Sequence, residues 1–289
     1  MDAFFYIDKP SGCTSFDVLR DMRRKLGIKK FGHTGTLDPL ATGWLLVASW
    51  NYTKLLSYLH ADRKTYAAEI MLDGVSPSLD RDTEVSYISQ EKQKEARELL
   101  NLWEIETCIE QNFLWEIEQV PPSYSALKID GKKALDRVLA GEEFTLEKRK
   151  AIVYSYEILR YDYPVLNLSL CVSAGTYIRS IARDLWEKLN LWGYISELRR
   201  TKVGELDISY ATTLKDLTVQ STLSPKLLFE ESYVDFWDEE IYARLAHGQR
   251  VRADFDWKPN TLVFLWDNTW IRFVIEYREG VIHPLRKVQ

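Results

Sequence analysis

The chain has 289 residues, 46% of them hydrophobic, and a formal net charge of −5. That length supports a sizeable core, in one large domain or in a large domain plus a small one. The acidic balance argues against indiscriminate coating of nucleic acid, and apolar runs such as Trp44 to Ala48 fall far short of a bilayer span.

Three cysteines, Cys13, Cys108 and Cys171, match neither a disulfide framework nor a zinc site. The amino-terminal stretch lacks the basic region and apolar core of a signal peptide, so a reducing cytoplasm is the expected setting. Basic residues cluster at Arg20, Arg23, Arg24, Lys25, Lys29 and Lys30, at Lys128, Lys132 and Lys133, and at Arg199, Arg200 and Lys202. They fit either solvated faces or a basic surface on an acidic protein.

In chain order, residues 3 to 8 suit a strand that ends in the turn chemistry of Asp8 to Ser15. Ser15 is placed to cap a helix with Val18, Leu19, Met22 and Leu26 on one face, Asp17 in the first turn and Gly27 at its close. The next stretch, GHTGTLDPLATG from Gly32 to Gly43, reads as a stiff loop feeding a buried strand at 43 to 48. Pro39 restricts Asp38 toward extended geometry, which suits a carboxylate presented for chemistry. The same residue types also fit a plain turn whose aspartate caps its own backbone.

Residues 65 to 72 form a strand pattern with Tyr66, Ala68, Ile70 and Leu72 on one face. Residues 73 to 90 are polar, and 91 to 103 read as one amphipathic helix with Ala96, Leu99, Leu100 and Trp103 inward. After Pro121 and Pro122, the basic segment from Ser123 to Lys133 suits contact with an anionic partner. Strands are expected at 151 to 160 and 165 to 173, then a helix from Gly175-Thr176 with Ile178, Ile181, Ala182, Leu185 and Leu189 inward and Arg179 and Arg183 on another face. A composition shift at 218 to 232 suggests a linker, followed by a helix at 239 to 246 ended by Gly248 and strands near 261 to 266 and 270 to 277.

With these pieces placed, the chain resembles the TruB-type tRNA pseudouridine synthases. The resemblance rests on GHTGTLDPLATG, the DKPSGCTS turn, KTYAAEIML, PPSYSALKIDGKK, and GTYIRSIARDL followed by ELRRTKVG. It covers residues 3 to 205 well and the tail weakly, through GQRVR and EGVIHPLR.

The fold implied is α+β, with a mixed, largely antiparallel central sheet flanked by helices and a small β-rich PUA-like carboxy-terminal domain. Residues 1–230 would be catalytic, with 73–150 as an RNA-clamping insertion, and 231–289 would bind RNA. Asp38 would attack the target uridine, Tyr66 would stack on the base and assist proton transfer, and Arg179 would pair with Asp38. Substrate contacts would come from His33, Lys9, Tyr177, Leu198, Arg200 and Lys128. His33 could equally bond the loop backbone, and Lys9 could simply tie down its turn.

The implied substrate is the T arm of tRNA, with no metal, no membrane and no obligatory protein partner. Moving a uracil from N1 to C5 attachment is an isomerisation, so the chemistry calls for no cofactor. It requires an ionised carboxylate, an arginine that holds it and lowers its pKa, and an aromatic platform for the detached base. Alternative readings are a guide-RNA-dependent enzyme of the same superfamily acting on ribosomal RNA and a non-catalytic tRNA chaperone. A glycoside hydrolase fits poorly, because that chemistry wants two carboxylates about the bond.

Some positions depart from the family pattern. Leu135 and Leu139 stand where an aromatic and an arginine are usual, and residues 73 to 85 lack the usual threonine and aspartate pattern. Trp50, Trp115, Trp186 and Trp192 fall where the pattern has glycine. A gene whose UGA codons mean glycine, translated with UGA as tryptophan, accounts for this. UGG codons at the four positions would leave ordinary divergence instead.

Overall fold

The computed structural model describes residues 1–59, 63–229, 233–235, 238–253, 255, 257, 261–266 and 271–288. A ten-stranded sheet forms the frame. Its main path runs Thr212–Thr213, Phe4–Lys9, Thr42–Ser49, Tyr194–Val203, Arg63–Met71, Val165–Ser173, Arg149–Asp162 and Trp115–Gln119. Phe31–Thr34 pairs with Thr42–Ser49, and Leu206–Asp207 with Tyr194–Val203. Phe4–Lys9 runs parallel to Thr212–Thr213, and Thr42–Ser49 runs parallel to Tyr194–Val203; the other pairings are antiparallel. The sheet is therefore mixed and largely antiparallel, as the sequence leads one to expect.

Period-two patterning decides which faces are covered. Tyr66, Ala68 and Ile70 on Arg63–Met71, with Leu166, Leu168, Leu170 and Val172 on Val165–Ser173, share one core with the helix Ile178–Lys188. That helix buries Ile178, Ile181, Ala182, Leu185 and Trp186, each large side chain contributing about 1.5–3 kcal/mol of hydrophobic stabilisation. A second core packs Val18, Leu19 and Met22 of the helix Ser15–Leu26 against Phe5, Ile7, Leu45 and Val47. The opposite face of those strands, with Phe4, Tyr6, Trp44 and Leu46, receives Phe229, Phe264, Val274 and Val288.

The last of these belong to a separate five-stranded sheet, ordered Tyr233–Asp235, Thr261–Trp266, Ile271–Arg278, Val281–Lys287 and Val251–Arg252. It carries the helix Glu239–Ala246 and packs on the larger sheet through Phe229 of the connecting segment, whose ring meets Phe4 at 6.0 Å and stacks on Phe264 at 3.8 Å. The expected domain boundary at 230/231 and the strand start at Trp270 lie outside the described residues.

Three local expectations change. Thr14, not Ser15, caps the first helix: Thr14 Oγ1 accepts from the Asp17 N–H at 3.1 Å, and the Asp17 carboxylate accepts from the Thr14 N–H at 2.9 Å. The stretch at 91 to 103 is two helices, Gln90–Leu99 and Leu102–Asn112, because Leu100 is extended and Asn101 with Glu104 forms a new capping box. Leu99 and Trp103 are consequently exposed, and Ile105 and Ile109 fill the core instead. The helix expected from Gly175-Thr176 begins at Ile178.

Of the four tryptophans, two sit in glycine-like backbone. Trp50 has φ +46° and Trp115 has φ +68°, and both rings are exposed. Trp186 is helical and buried, and Trp192 lies beneath the Lys92 ammonium at 4.6 Å. Left-handed geometry costs an L-residue about 1–2 kcal/mol, a cost glycine avoids. Trp50→Gly and Trp115→Gly are each expected to raise the unfolding free energy by about 1 kcal/mol in urea titrations. Trp103→Gly, inside a helix, should lower it by about as much. Equal destabilisation by all three would contradict the strain at positions 50 and 115.

Candidate active site

The stretch from Gly32 to Gly43 is part strand and part loop. Gly32, His33 and Thr34 belong to Phe31–Thr34, and the chain then turns through Gly35 and presents Asp38. Leu37, Leu40 and Ala41 are buried in the largest core, so the residues flanking Asp38 are anchored by apolar packing.

The turn after the first strand clamps the same loop. Gly12 N–H donates to the Pro39 carbonyl at 2.9 Å and Ser11 Oγ to the Leu40 carbonyl at 3.0 Å. Ser15, released from capping, accepts from the Leu37 N–H at 3.0 Å. Beyond the loop, Gly43 has φ +100° and sits in parallel register with Arg200. A Cβ there would lie 2.3 Å from the Arg200 carbonyl oxygen, so only glycine permits this approach.

Arg179 fixes the carboxylate. Its side chain is buried, and Nη2 lies 2.8 Å from Asp38 Oδ2 while also donating to the Tyr124 carbonyl at 3.0 Å. Nη1 lies 3.2 Å from Asp80 Oδ2 and donates to the Ser78 carbonyl at 2.9 Å. Asp80 is itself buried, held by Ser78 Oγ at 2.6 Å and the Asp82 N–H at 3.0 Å. A buried guanidinium between two carboxylates is thus compensated on both sides, with the Asp38 side open to a cleft.

The expectation that arginine lowers the pKa of Asp38 is only part of the balance. Burial pushes the carboxyl above its ordinary range, Arg179 pulls it down, and Asp80 pushes it up again, with a net upward direction.

The cleft encloses about 210 Å³ and is lined by Asp38, Lys64, Tyr66, Tyr177, Leu198 and Arg200, among others. Tyr66 faces Arg200, whose Nη1 is 3.4 Å from the phenol oxygen. Arg200 is fully buried, donating through Nε to the Trp44 carbonyl at 2.7 Å and through Nη2 to the Gly35 carbonyl at 2.6 Å. Its role is therefore to hold the Gly35 turn and the strand behind it. Burial, then Arg200, pulls His33 below the ordinary imidazole range, leaving it neutral at pH 7 with Nδ1 buried and unbonded.

Three expected substrate contacts, His33, Lys9 and Lys128, are not among the residues that line the cleft. Lys9 is buried, and its ammonium donates to the carbonyls of Pro10 at 2.9 Å, Cys13 at 2.6 Å and Pro39 at 3.2 Å. An ammonium has three donors, so Lys9 ties its turn to the Asp38 loop and has none left for RNA. Lys128 is exposed on the hairpin of Lys128–Ile129 and Lys132–Lys133, outside the cleft. Two cleft-side residues escaped the sequence reading. Asp80 sits in a polar turn with no periodicity to mark it, whereas Lys64, two before Tyr66, was legible from the alternation that singled out the tyrosine. Among the described residues no cluster of three or more His, Cys, Asp or Glu is arranged to hold a metal ion.

Comparison with known proteins identifies the family of the chain. Residues 23–178 match the profile of the TruB family pseudouridylate synthase N-terminal domain. A protein of Caldanaerobacter subterraneus subsp. tengcongensis named tRNA pseudouridine synthase B is 36% identical over 289 residues, spanning 99% of each chain. One of the same name from Clostridium tetani is 34% identical over 256 residues, 87% of this chain and 86% of its own. A solved chain of a Cbf5-Nop10-Gar1 complex shares the fold, with a TM-score of 0.68 at 23% identity over 99% of this chain and 85% of that one.

Arg179→Met would leave Asp38 and Asp80 facing each other without their cation. Chemical denaturation is expected to show a loss of about 3–5 kcal/mol, as for other broken buried ion pairs. Unchanged stability would mean that the guanidinium is not what compensates Asp80.

Proposed function

The chain belongs to the TruB family of pseudouridylate synthases, and we propose that it isomerises uridine to pseudouridine in the T loop of tRNA. The observation that carries this reading is the pairing of Asp38 with a buried arginine at the edge of a cleft in which, among the described residues, it is the one lining carboxylate. Asp80 is sealed behind Arg179, so among the described residues no second carboxylate lines the cleft in the manner of a glycoside hydrolase.

The residues divide the work. Ionised Asp38 acts at the sugar, either as nucleophile, as a negative charge beside developing positive charge, or as base toward a sugar proton in a glycal route. The glycosidic bond breaks, the uracil turns, and C5 joins the sugar. Tyr66 supplies the aromatic surface that keeps the detached base from escaping. A uridine in a folded loop must first be extruded, at a cost of about a few kcal/mol recovered from stacking and phosphate contacts.

Residues 1–230 carry this chemistry in the proposal, with Lys128 in a clamping insertion at 73–150, and residues 231–289 add RNA contacts. The match over 99% of each chain to a relative named tRNA pseudouridine synthase B supports a reading in which tRNA is modified without an obligatory protein partner or guide RNA. In this reading the enzyme meets its tRNA in the cytoplasm.

Tritium release from tRNA transcript labelled at uridine C5 tests the role of Asp38. The wild type should release label, and Asp38→Asn should reduce the rate by about a thousandfold or more. The carboxylate form is the active one, so the rate should fall as pH drops through the raised Asp38 pKa, with the acid limb above the ordinary aspartate value of about 3.9. Release that survives Asp38→Asn would refute the role, and no release by the wild type from any tRNA would favour a non-catalytic RNA chaperone.

A further inference from the structure

One cation of the cleft has no place in this mechanism. Lys64 lies two residues before Tyr66 on Arg63–Met71, so both side chains leave the same face of the sheet and both line the cleft. Its backbone neighbours in register are Val172 on one side and Val203 on the other. Among the described residues its ammonium has neither a hydrogen-bond partner nor an ion-pair partner.

What stands opposite is another cation. A Cβ built on Gly35 would lie 3.5 Å from Lys64 Nζ and 3.4 Å from Arg200 Nη1, so the two positive groups converge on the same glycine turn. The other titratable groups around them give little relief. Tyr66 offers its hydroxyl to Arg200, His33 faces Arg200 as a neutral ring, and Asp38 is already engaged by Arg179. Two converging cations with no facing anion among the described residues are arranged for an anion that arrives with the substrate.

We propose that Lys64, backed by Arg200 over the Gly35 turn, binds a backbone phosphate of the RNA beside the extruded nucleotide. Gly35 lets that phosphate come close to the main chain, and Arg200, occupied by three protein acceptors, contributes its field more than its donors. The inference rests on the proposed RNA substrate. It adds a specific anion site to the cleft and assigns Lys64 a substrate-positioning role.

The arrangement has a pH signature. Burial, then Arg200, brings the Lys64 pKa down to about 8 in the free protein. A bound phosphate favours the ammonium and raises that pKa, so binding takes up a proton. Affinity is therefore full below pH 8 and declines as pH rises above it.

The test measures the Kd of the full-length protein for a T-arm stem–loop transcript by fluorescence anisotropy across salt and pH, with pseudouridine formation followed in parallel. Lys64→Met and Lys64→Gln should weaken binding about tenfold and flatten the log Kd against log salt slope by about 0.7–0.9. Lys64→Arg should restore both, and all three variants should lose the inflection near pH 8 seen with the wild type. Unchanged affinity and salt slope in the two neutral variants would overturn the proposal. So would an arginine variant that binds like the wild type yet forms no pseudouridine, since that assigns Lys64 to proton transfer. A wild type that binds the transcript but forms no pseudouridine would instead refute the functional reading on which the site rests.

Discussion

A single buried guanidinium organises this protein. Arg179 joins Asp38, on the loop after the strand Phe31–Thr34, to Asp80, in a turn far along the chain, and to the carbonyls of Ser78 and Tyr124. Burying one cation costs several kcal/mol unless its donors are met by anions and carbonyls in good geometry. Here two carboxylates meet it, leaving one net negative charge, and Asp38 is the end that opens to the cleft. The same contacts that make the arginine tolerable hold the cleft-facing carboxylate still.

The fold supplies this arrangement through constraints that converge on one loop. Leu37, Leu40 and Ala41 are anchored in the core, and the turn from Lys9 to Ser15 bonds the loop backbone at Leu37, Pro39 and Leu40. Gly43 allows the next strand to run parallel against Arg200, which reaches back to hold Gly35. Tyr66 and Lys64 enter the cleft from the neighbouring strand by simple alternation. Each element is ordinary, and the site exists because they meet.

Much of this was legible in the sequence. Period two placed Tyr66, and the apolar stripe of Ile178, Ile181, Ala182 and Leu185 placed the helix that carries Arg179. The trio of Asp38, Tyr66 and Arg179 came from resemblance, because no local rule joins residues so far apart. The misreadings have physical causes. Thr14 and Ser15 are chemically equivalent caps, and only the three-residue spacing from Thr14 to Asp17 distinguishes them. The apolar stripe through Leu99 and Trp103 continues across a helix break that Asn101 and Glu104 create. Lys9 looks like a surface cation, but three carbonyls converge on it. Asp80 was invisible because its value lies in a partner about a hundred residues away.

In the proposed reaction Asp38, held by Arg179, isomerises one uridine without a guide RNA or a second protein. Mapping pseudouridine along an unmodified tRNA transcript after incubation with the purified wild-type chain alone tests it most directly. Modification at a single T-loop uridine is expected. A transcript that remains unmodified, or one modified only when a guide RNA or second protein is added, would contradict it.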